Sequence, residues 1–166
     1  MLSSIEILIL AAIQGTSEFL PVSSAAHLVL ITEQYAFANR SLLIDICLHL
    51  GSLIAIVVYF RKDLFNFIKN KSFLLKILLG TIPIIPAGYI LYQTGLIEEL
   101  RSLEIIGWMS LMFGILLYLS DKTKISKEID TVFSKKSAII IGLLQVLSLI
   151  PGVSRSGITI TSGRML

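Results

Sequence analysis

Three apolar runs, each close to the length that crosses a lipid bilayer, constrain this chain more than any other feature of its sequence. They are residues 42–60, 73–92 and 103–120. A helix needs about 20 apolar residues to cross a hydrocarbon core about 30 Å thick. Hydrophobic residues make up 55% of the 166 positions, charged residues only 15%, and the mean hydropathy is +0.87, unlike an ordinary water-soluble domain. The sequence therefore predicts an all-α integral membrane protein, with a single membrane domain over residues 1–166.

Basic residues are concentrated in two of the three segments that follow these runs. Because Lys and Arg are retained in cytoplasmic loops, 61–72 and 121–136 are predicted to be cytoplasmic loops. Segment 93–102 has one arginine beside two glutamates and is predicted to be external. We attribute the net charge of +3 to topology and to membrane lipids with anionic headgroups, and expect no nucleic-acid partner. The basic residues are Arg61, Lys62, Lys69 and Lys71 in the first loop and Lys122, Lys124, Lys127, Lys135 and Lys136 in the third.

Two further features exclude other kinds of protein. The segment from Ile5 to Ile13 is apolar but lacks a basic start and runs into a polar turn, so we do not expect a cleaved signal peptide. Cys47 is the one cysteine and lies within an apolar run. It leaves no disulfide and no cysteine-based metal site, and it is predicted to be a small core residue.

Two similar polar turns interrupt the remaining apolar sequence. "EFLPVSSAAHL" covers residues 18–28 and "LIPGVSRSGIT" covers 149–159. The longer stretch "QGTSEFLPVSSAAH" lines up with "QVLSLIPGVSRSGI" when the proline slips by one residue. Each turn divides its segment, 5–31 or 138–166, into pieces of about ten residues, too short to span a bilayer singly. Irregular backbone at membrane depth must be buried in protein or face a wet cavity, so both segments are predicted to be re-entrant hairpins.

The topology places these hairpins on opposite sides of the membrane, the first entering from outside and the second from inside. This is the arrangement of an inverted-topology repeat, in which the two broken tips form one site near the midplane. The first repeat is then 1–120, with hairpin 5–31 and spans 42–60, 73–92 and 103–120, and the second begins at 138–166. Since partners for the three spans do not follow, we expect an N-terminal portion of a longer protein.

Polar side chains around the first turn are the candidates for chemistry. An ionisable residue at membrane depth usually faces a cavity or a partner, which makes Glu18 a functional candidate. Ser23, Ser24 and His27 follow it within ten residues. The Pro-Ser turn also resembles a helix N-cap, which is the favoured role for Ser23 and an equal alternative to catalysis for Ser24. His27 could instead bridge two helices.

The second turn has the composition of an anion site. Arg155 stands between Ser154 and Ser156, and a planar guanidinium flanked by hydroxyls suits phosphate oxygens. Backbone N–H groups at Ser156 and Gly157, where a half-helix starts, would add to it. A purely structural ion pair between Glu18 and Arg155 is the alternative.

Asp45 and His49 lie four residues apart and so share one face of the helix that begins at residue 42. We expect that face to turn towards the protein interior and to support the site.

At these motifs the chain resembles a known family, the bacterial undecaprenyl-diphosphatases, also called bacitracin-resistance proteins. "QGTSEFLPVSSAAHL" is similar to the first signature of the family, "PGVSRSG" to the second, and "DICLHLGSLIAIVVYFRKDL" to the segment that follows the first. The resemblance implies an inverted repeat with two re-entrant hairpins in the bacterial cytoplasmic (inner) membrane, multi-pass. It implies that the protein removes the terminal phosphate of undecaprenyl diphosphate, a polyprenyl diphosphate lipid. It also implies that the reaction requires a divalent cation, magnesium or calcium. The resemblance leaves open whether the protein forms a homodimer.

The resemblance also assigns roles to residues. Glu18 is the retained acidic residue of an (E/Q)xxxE element and the predicted metal ligand, with Gln14 as a second candidate ligand. Gln14 stands where some members have glutamate, and Ala25 where a small hydroxyl residue is frequent. The predicted catalytic residues are Glu18, Ser24, His27 and Arg155, and the predicted substrate-binding residues are Ser23, Ser154, Arg155, Ser156 and Gly157.

The residues leave three routes to phosphoryl transfer open. Ser24 attacks with His27 or Glu18 taking its proton, His27 attacks directly, or a metal-activated water attacks. We favour Ser24. The alternative function is an inverted-repeat secondary transporter or anionic-lipid translocator, which would need charge balance but no nucleophile with a base.

Overall fold

Helices account for all the regular structure that a computed structural model describes over residues 3–35, 42–123 and 133–166. The all-α prediction is confirmed for these ranges. The helices are α1 (Ser4–Ser17), α2 (Ser24–Gln34), α3 (Leu42–Tyr59), α4 (Arg61–Lys69), α5 (Lys71–Thr81), α6 (Ile84–Thr94), α7 (Leu96–Leu100), α8 (Leu103–Asp121), α9 (Lys135–Gln145), a 3₁₀ turn (Val146–Leu149) and α10 (Arg155–Met165).

The first hairpin is α1 and α2 joined by the turn at residues 18–23. Ser3 and Glu6 form a capping box in which the Ser3 hydroxyl accepts from the Glu6 amide and the Glu6 carboxylate accepts from the Ser3 amide. These bonds satisfy two of the donors that the start of a helix leaves unpaired. Ser23 caps α2 by accepting from the Ala26 amide at 3.3 Å. Local hydrogen bonds thus mark the starts of both helices.

The second hairpin, α9 and α10, repeats the first in register. Ser134 and Ser154 are the N-caps of α9 and α10, and each follows its counterpart, Ser3 or Ser23, by 131 positions. Within each pair the hairpin helices pack against one another. The two polar turns thus occupy equivalent places in two similar supersecondary units.

The membrane-length runs predicted from the sequence are helical. Helices α5 and α6 together form a 24-residue segment, Lys71–Thr94, broken near Pro83, and α8 is 19 residues long. Both are long and apolar enough to cross a membrane, and α3 with α4 would make a third span if that bent pair is counted as one. No residue in the apolar window of 71–94 is buried, and 11% are buried in that of α8. Such exposed apolar faces indicate a membrane protein.

Two segments predicted to be loops contain helices instead. Residues 61–69 form α4, and residues 96–100 form the short helix α7. A search for runs of membrane length passes over short helices, because their polar residues lower the average hydropathy. Residues 124–132 of the third predicted loop lie outside the described part of the chain.

Cys47 is exposed on α3, so the prediction of a small core residue was wrong. Among the described elements α3 packs mainly on α1 and α4. Most of its surface therefore faces outward, and an apolar side chain on it has no protein core to enter.

Arg164 ties the end of the second hairpin to the end of α8. Its Nε donates to the Ser120 carbonyl at 2.9 Å and one Nη to the Asp121 carbonyl at 2.6 Å. Its other Nη lies 3.3 Å from an Asp121 carboxylate oxygen. The last carbonyls of a helix lack intrahelical partners and carry partial negative charge, so a guanidinium at this position stabilises the end of α8.

Helices α5 and α9 cross where both carry small residues. Ala138 and Gly142 are buried on α9, four residues apart, and a Cβ on Gly80 of α5 would lie 3.3 Å from the Ala138 carbonyl oxygen. A Cβ on Gly142 would overlap the Gly80 carbonyl. Small residues at this spacing let two membrane helices approach closely enough for their backbones to touch.

We expect Gly142→Ala to lower the stability of the protein by about 1–3 kcal/mol, because the added methyl must push α5 away from α9. The matched control is Gly107→Ala on α8, where a Cβ meets nothing within 4 Å. That change should be neutral or slightly stabilising, since alanine is the better helix former. Thermal unfolding in one detergent measures both. Equal midpoints for the two variants would contradict the close crossing.

Candidate active site

The tips of the two hairpins meet. The Ser156 hydroxyl donates to the Leu20 carbonyl oxygen at 3.3 Å. Gly157 lies so close to the first turn that a Cβ there would be 3.3 Å from the Pro21 carbonyl oxygen. The sequence predicted that the two similar turns form two halves of one site, and the structure brings them into contact.

Helix α8 forms a third wall against the second turn. Gly152 has φ +100°, and a Cβ there would lie 2.7 Å from the Ile106 carbonyl oxygen. The Ser110 hydroxyl donates to the Gly152 carbonyl at 3.4 Å. Glycine is therefore required at this position by both its backbone conformation and its close approach to α8.

A cavity of about 150 Å³ lies between these three elements. Its walls combine apolar groups with a few hydroxyls and one imidazole, the lining typical of a small-molecule site. The lining residues are Pro21, Val22, Ser23 and His27 from the first hairpin, Ser110, Phe113, Gly114 and Leu117 from α8, and Gly152, Ser154, Gly157 and Ile158 from the second hairpin.

Glu18 and Ser24 are joined directly across the first turn. The Ser24 hydroxyl donates to Glu18 Oε2 at 2.7 Å. Gln14, almost fully buried one helical turn earlier, donates its amide to the same oxygen at 2.8 Å. The turn makes this possible because it returns the chain so that the first residue of α2 faces the end of α1. A serine held on a carboxylate is the arrangement in which a base can take the hydroxyl proton.

His49 reaches the same carboxylate from α3. Its Nε2 lies 3.8 Å from Glu18 Oε2, and its Nδ1 lies 2.8 Å from the Asp45 carbonyl oxygen. A carbonyl only accepts, so Nδ1 carries the hydrogen of that bond. Asp45 is buried, and its carboxylate accepts from Arg101 at 3.0 Å. Asp45 faces the interior as predicted, whereas the His49 side chain is 43% exposed and lies beside Glu18.

His27 turns away from Ser24. Its Nδ1 lies 2.7 Å from the Ser23 carbonyl oxygen, which again places the hydrogen on Nδ1 and leaves the Nε2 lone pair exposed beside the cavity. No hydrogen bond joins His27 to Ser24 within the described ranges. Of the two bases considered for Ser24, Glu18 is the one in contact with its hydroxyl.

The second turn is organised by its serines. Ser154 caps α10 by accepting from the Gly157 amide at 3.1 Å, and its hydroxyl lies 3.0 Å from that of Ser156. Arg155 is the first residue of α10 and is exposed. The described part of the chain contains no ion pair between Arg155 and Glu18, so the structural pair considered from the sequence is not formed. The guanidinium is accessible to a ligand.

Sequence reasoning missed the contribution of α8. Ser110 and Gly114 lie four residues apart on one face of this apolar helix, and both line the cavity. That spacing of small residues was the available signal. Arg101 and its contact with Asp45 left no such signal, because 56 positions separate them.

The oxygens near Glu18 suit a hard cation. Gln14 Oε1 is buried and has no hydrogen-bond partner, and the Glu18 carboxylate beside it has lone pairs to spare. The described residues hold no cluster of three or more His, Cys, Asp or Glu side chains. The protein would provide two ligands, one carboxylate and one amide oxygen. This number fits magnesium, which commonly takes its remaining ligands from water and substrate phosphates.

Comparison of this sequence with known proteins shows which family the chain belongs to. A family model described as "Bacitracin resistance protein BacA" matches residues 7–166. The chain is 51% identical over 162 residues to an undecaprenyl-diphosphatase of Pelagibacter ubique, covering 97% of this chain and 63% of that protein. It is 43% identical over 173 residues to one of Roseobacter denitrificans, covering 96% and 65%. It thus spans just under two thirds of the length of these relatives. In agreement with the resemblance of its two turn motifs, the chain belongs to the bacitracin resistance protein BacA family.

Proposed function

We propose that the complete protein is a membrane phosphatase that hydrolyses undecaprenyl diphosphate to undecaprenyl phosphate and inorganic phosphate, recycling the lipid carrier for cell-wall synthesis. The observation that carries the proposal is the 2.7 Å hydrogen bond from Ser24 to Glu18, beside the point where the two tips meet. The related proteins named undecaprenyl-diphosphatase support the substrate. Family membership supports the class of reaction.

Ser24 is the proposed nucleophile and Glu18 its base. As the Ser24 oxygen bonds to the terminal phosphorus, its proton passes to Glu18 and the anhydride bond to the lipid phosphate breaks. Undecaprenyl phosphate leaves, and water then cleaves the phosphoserine to release phosphate. Gln14 donates to the carboxylate and holds it in place, so that little reorganisation is needed during transfer.

The second tip is the proposed anion site. Arg155 presents a planar guanidinium at the start of α10, where backbone N–H groups and the helix dipole also favour negative charge. Ser154, Ser156 and Gly157 surround it, although their hydroxyls and amide partly cap the helix. His27, with Nε2 beside the cavity, would accept a hydrogen from the protonated phosphate or from the attacking water. Phosphoryl transfer depends mainly on positioning and on charge neutralisation of this kind.

A divalent cation, magnesium or calcium, is proposed beside Glu18 and Gln14. The unpartnered Gln14 Oε1 and the spare lone pairs of the Glu18 carboxylate support it. When bound, the cation supplies charge neutralisation to the diphosphate oxygens. Glu18 and Gln14 are the residues of this chain that would hold it.

The proposed architecture is an inverted-topology repeat with two re-entrant hairpins in the bacterial cytoplasmic membrane. The equal register of the hairpins and the length of their helices support it, since α2 and α9 have 11 residues each, too short to cross a bilayer. The basic residues at α4 and around residues 122–136 favour the cytoplasmic side for those segments. The first repeat would cover 1–120 and the second begin at 138.

A secondary transporter or lipid translocator has less in its favour. Such a protein needs charge balance at its substrate site, but it has no use for a serine hydrogen-bonded to a carboxylate. Neither the family nor the named relatives point to transport.

The direct test is phosphate release by the complete purified protein from a polyprenyl diphosphate, with and without a chelator. We expect release that stops when the chelator is added and returns with excess magnesium or calcium. Release that continues unchanged in the chelator would contradict the cation site but not the phosphatase. The absence of release, together with transport of the lipid, would contradict the phosphatase.

Ser24→Ala should abolish most phosphate release while leaving binding of the lipid diphosphate largely intact, because a nucleophile adds little to ground-state affinity. A fall of about a thousandfold or more is expected on the scale of about 4 kcal/mol. Ser72→Ala, an exposed serine of α5, is the matched control and should release phosphate at the parent rate. If Ser24→Ala kept the parent rate, the nucleophile would have to be His27 or water.

Arg155→Lys should act as a non-conservative change, since lysine keeps the charge but loses the fork that grips two phosphate oxygens. We expect the catalytic efficiency to fall by at least about a hundredfold, or about 3 kcal/mol. The loss should include kcat if the contact strengthens in the transition state. Arg61→Lys, at the start of the distant α4, provides the matched control. Equal efficiencies for the two variants would place Arg155 outside the site.

A further inference from the structure

Helix α4 has two chemically distinct sides. At about 100° per residue, its four apolar residues cover an arc of about 160°, and Lys62, Asn66 and Lys69 lie on the other side. Arg61, the first residue, falls within the apolar arc, but its guanidinium donates to the Val58 carbonyl at the end of α3. The apolar residues are Leu64, Phe65, Phe67 and Ile68. The sequence was read as a loop here, and nothing in the proposed reaction uses it.

The helix lies across the end of a membrane-length segment. Its axis makes an angle of 77° with that of α3. Arg61 donates to the Val58 carbonyl at 2.9 Å and so satisfies a carbonyl that the end of α3 leaves unpaired. At its other end, Asn70 caps α5 by accepting from the Phe73 amide. Helix α3 is an apolar helix of 18 residues, and α5 begins the 24-residue segment of membrane length. In a bilayer, α4 would therefore lie near the level where the chain leaves the hydrocarbon and re-enters it.

The apolar side of α4 is only partly covered by protein. Phe67 stacks on Phe73 of α5, with ring centroids 5.2 Å apart. Phe65 and Ile68 remain 66% and 58% exposed. Tyr59 and Phe60, an edge-to-face pair at the bend, are also exposed, as aromatic residues at a membrane–water boundary commonly are.

The charges around this surface have one predominant sign. Four basic residues and one acidic residue lie in or next to α4, and all five are exposed. The basic residues are Arg61, Lys62, Lys69 and Lys71, and the acidic residue is Asp63. An apolar strip bordered by lysine and arginine complements a layer of anionic headgroups above acyl chains. An acidic soluble protein would match the charges, but it would leave unexplained why the strip lies across the end of a membrane-length helix.

We propose that α4 is an interfacial helix that binds anionic phospholipids of the membrane in which the protein lies. Phe65 and Ile68 enter the acyl-chain boundary, and Lys62, Lys69 and their basic neighbours bind the headgroup phosphates. The site is separate from the hairpin tips and does not depend on the phosphatase activity.

The test measures where α4 lies in a bilayer. In a Cys47→Ser background, Phe65→Cys and Asn66→Cys each receive an environment-sensitive fluorophore. The complete protein is then placed in nanodiscs of phosphatidylcholine, alone or mixed with phosphatidylglycerol. We expect brominated lipid to quench the probe at 65 several-fold more than the probe at 66, and aqueous acrylamide to show the reverse order. Phosphatidylglycerol should enlarge the difference.

The role of charge is tested with two paired variants. Lys62→Gln with Lys69→Gln should remove at least half of the phosphatidylglycerol effect. Lys135→Gln with Lys136→Gln, two exposed lysines at the start of α9, should leave it unchanged.

Three results would overturn the proposal. Equal acrylamide quenching at 65 and 66 would mean that α4 stands in water. Protection of position 65 from both quenchers would mean that another protein chain covers the strip. A phosphatidylglycerol effect that survives loss of Lys62 and Lys69 would mean that these charges do not bind the lipid.

Discussion

The contact between the two hairpin tips is the constraint on which the rest of the site depends. Irregular backbone cannot face lipid, because unpaired N–H and C=O groups cost several kcal/mol each in hydrocarbon (on the order of 4–8). In this protein the two turns contact one another. Ser156 donates to the Leu20 carbonyl, Gly157 fits against Pro21, and Gly152 presses on α8. The same packing places Ser23 and His27 of the first hairpin and Ser154 of the second in the walls of one cavity.

The matching register of the two hairpins allows their residues to be compared position by position. The capping serines Ser23 and Ser154 occupy the same place in the two units and make the same bond to the amide three residues later. The next position differs, being Ser24 in the first unit and Arg155 in the second. The two units share the same capped turn but differ in the first residue of the helix that follows it. Under the proposed function, this difference would give the first unit the nucleophile and the second unit the anion site.

Sequence reasoning succeeded where the determining interactions are local, and also at the two turns, where a repeated motif marks a contact between distant residues. It failed where neither signal is present. The spans, the N-cap at Ser23 and the proximity of Glu18 to Ser24 follow from residues close together in the chain. The hydrogen bonds from Arg164 to the end of α8 join residues more than 40 positions apart, and no sequence pattern predicts them. Cys47 was misplaced because hydropathy does not distinguish a side chain facing lipid from one facing a core. Helix α4 was missed because its polar face lowers the average hydropathy of so short a segment.

Gln14 shows how one neutral side chain changes the electrostatics of the site. Some members of the family have glutamate at this position, which would place a second carboxylate within hydrogen-bond distance of Glu18. Two like charges so close would repel strongly at low effective dielectric and would need a cation between them. Gln14 instead donates its amide to Glu18 at 2.8 Å, so Glu18 is held towards Ser24 by the protein alone. The buried Gln14 Oε1 still offers an oxygen to a cation. In this chain the orientation of the Glu18 carboxylate is therefore built into α1.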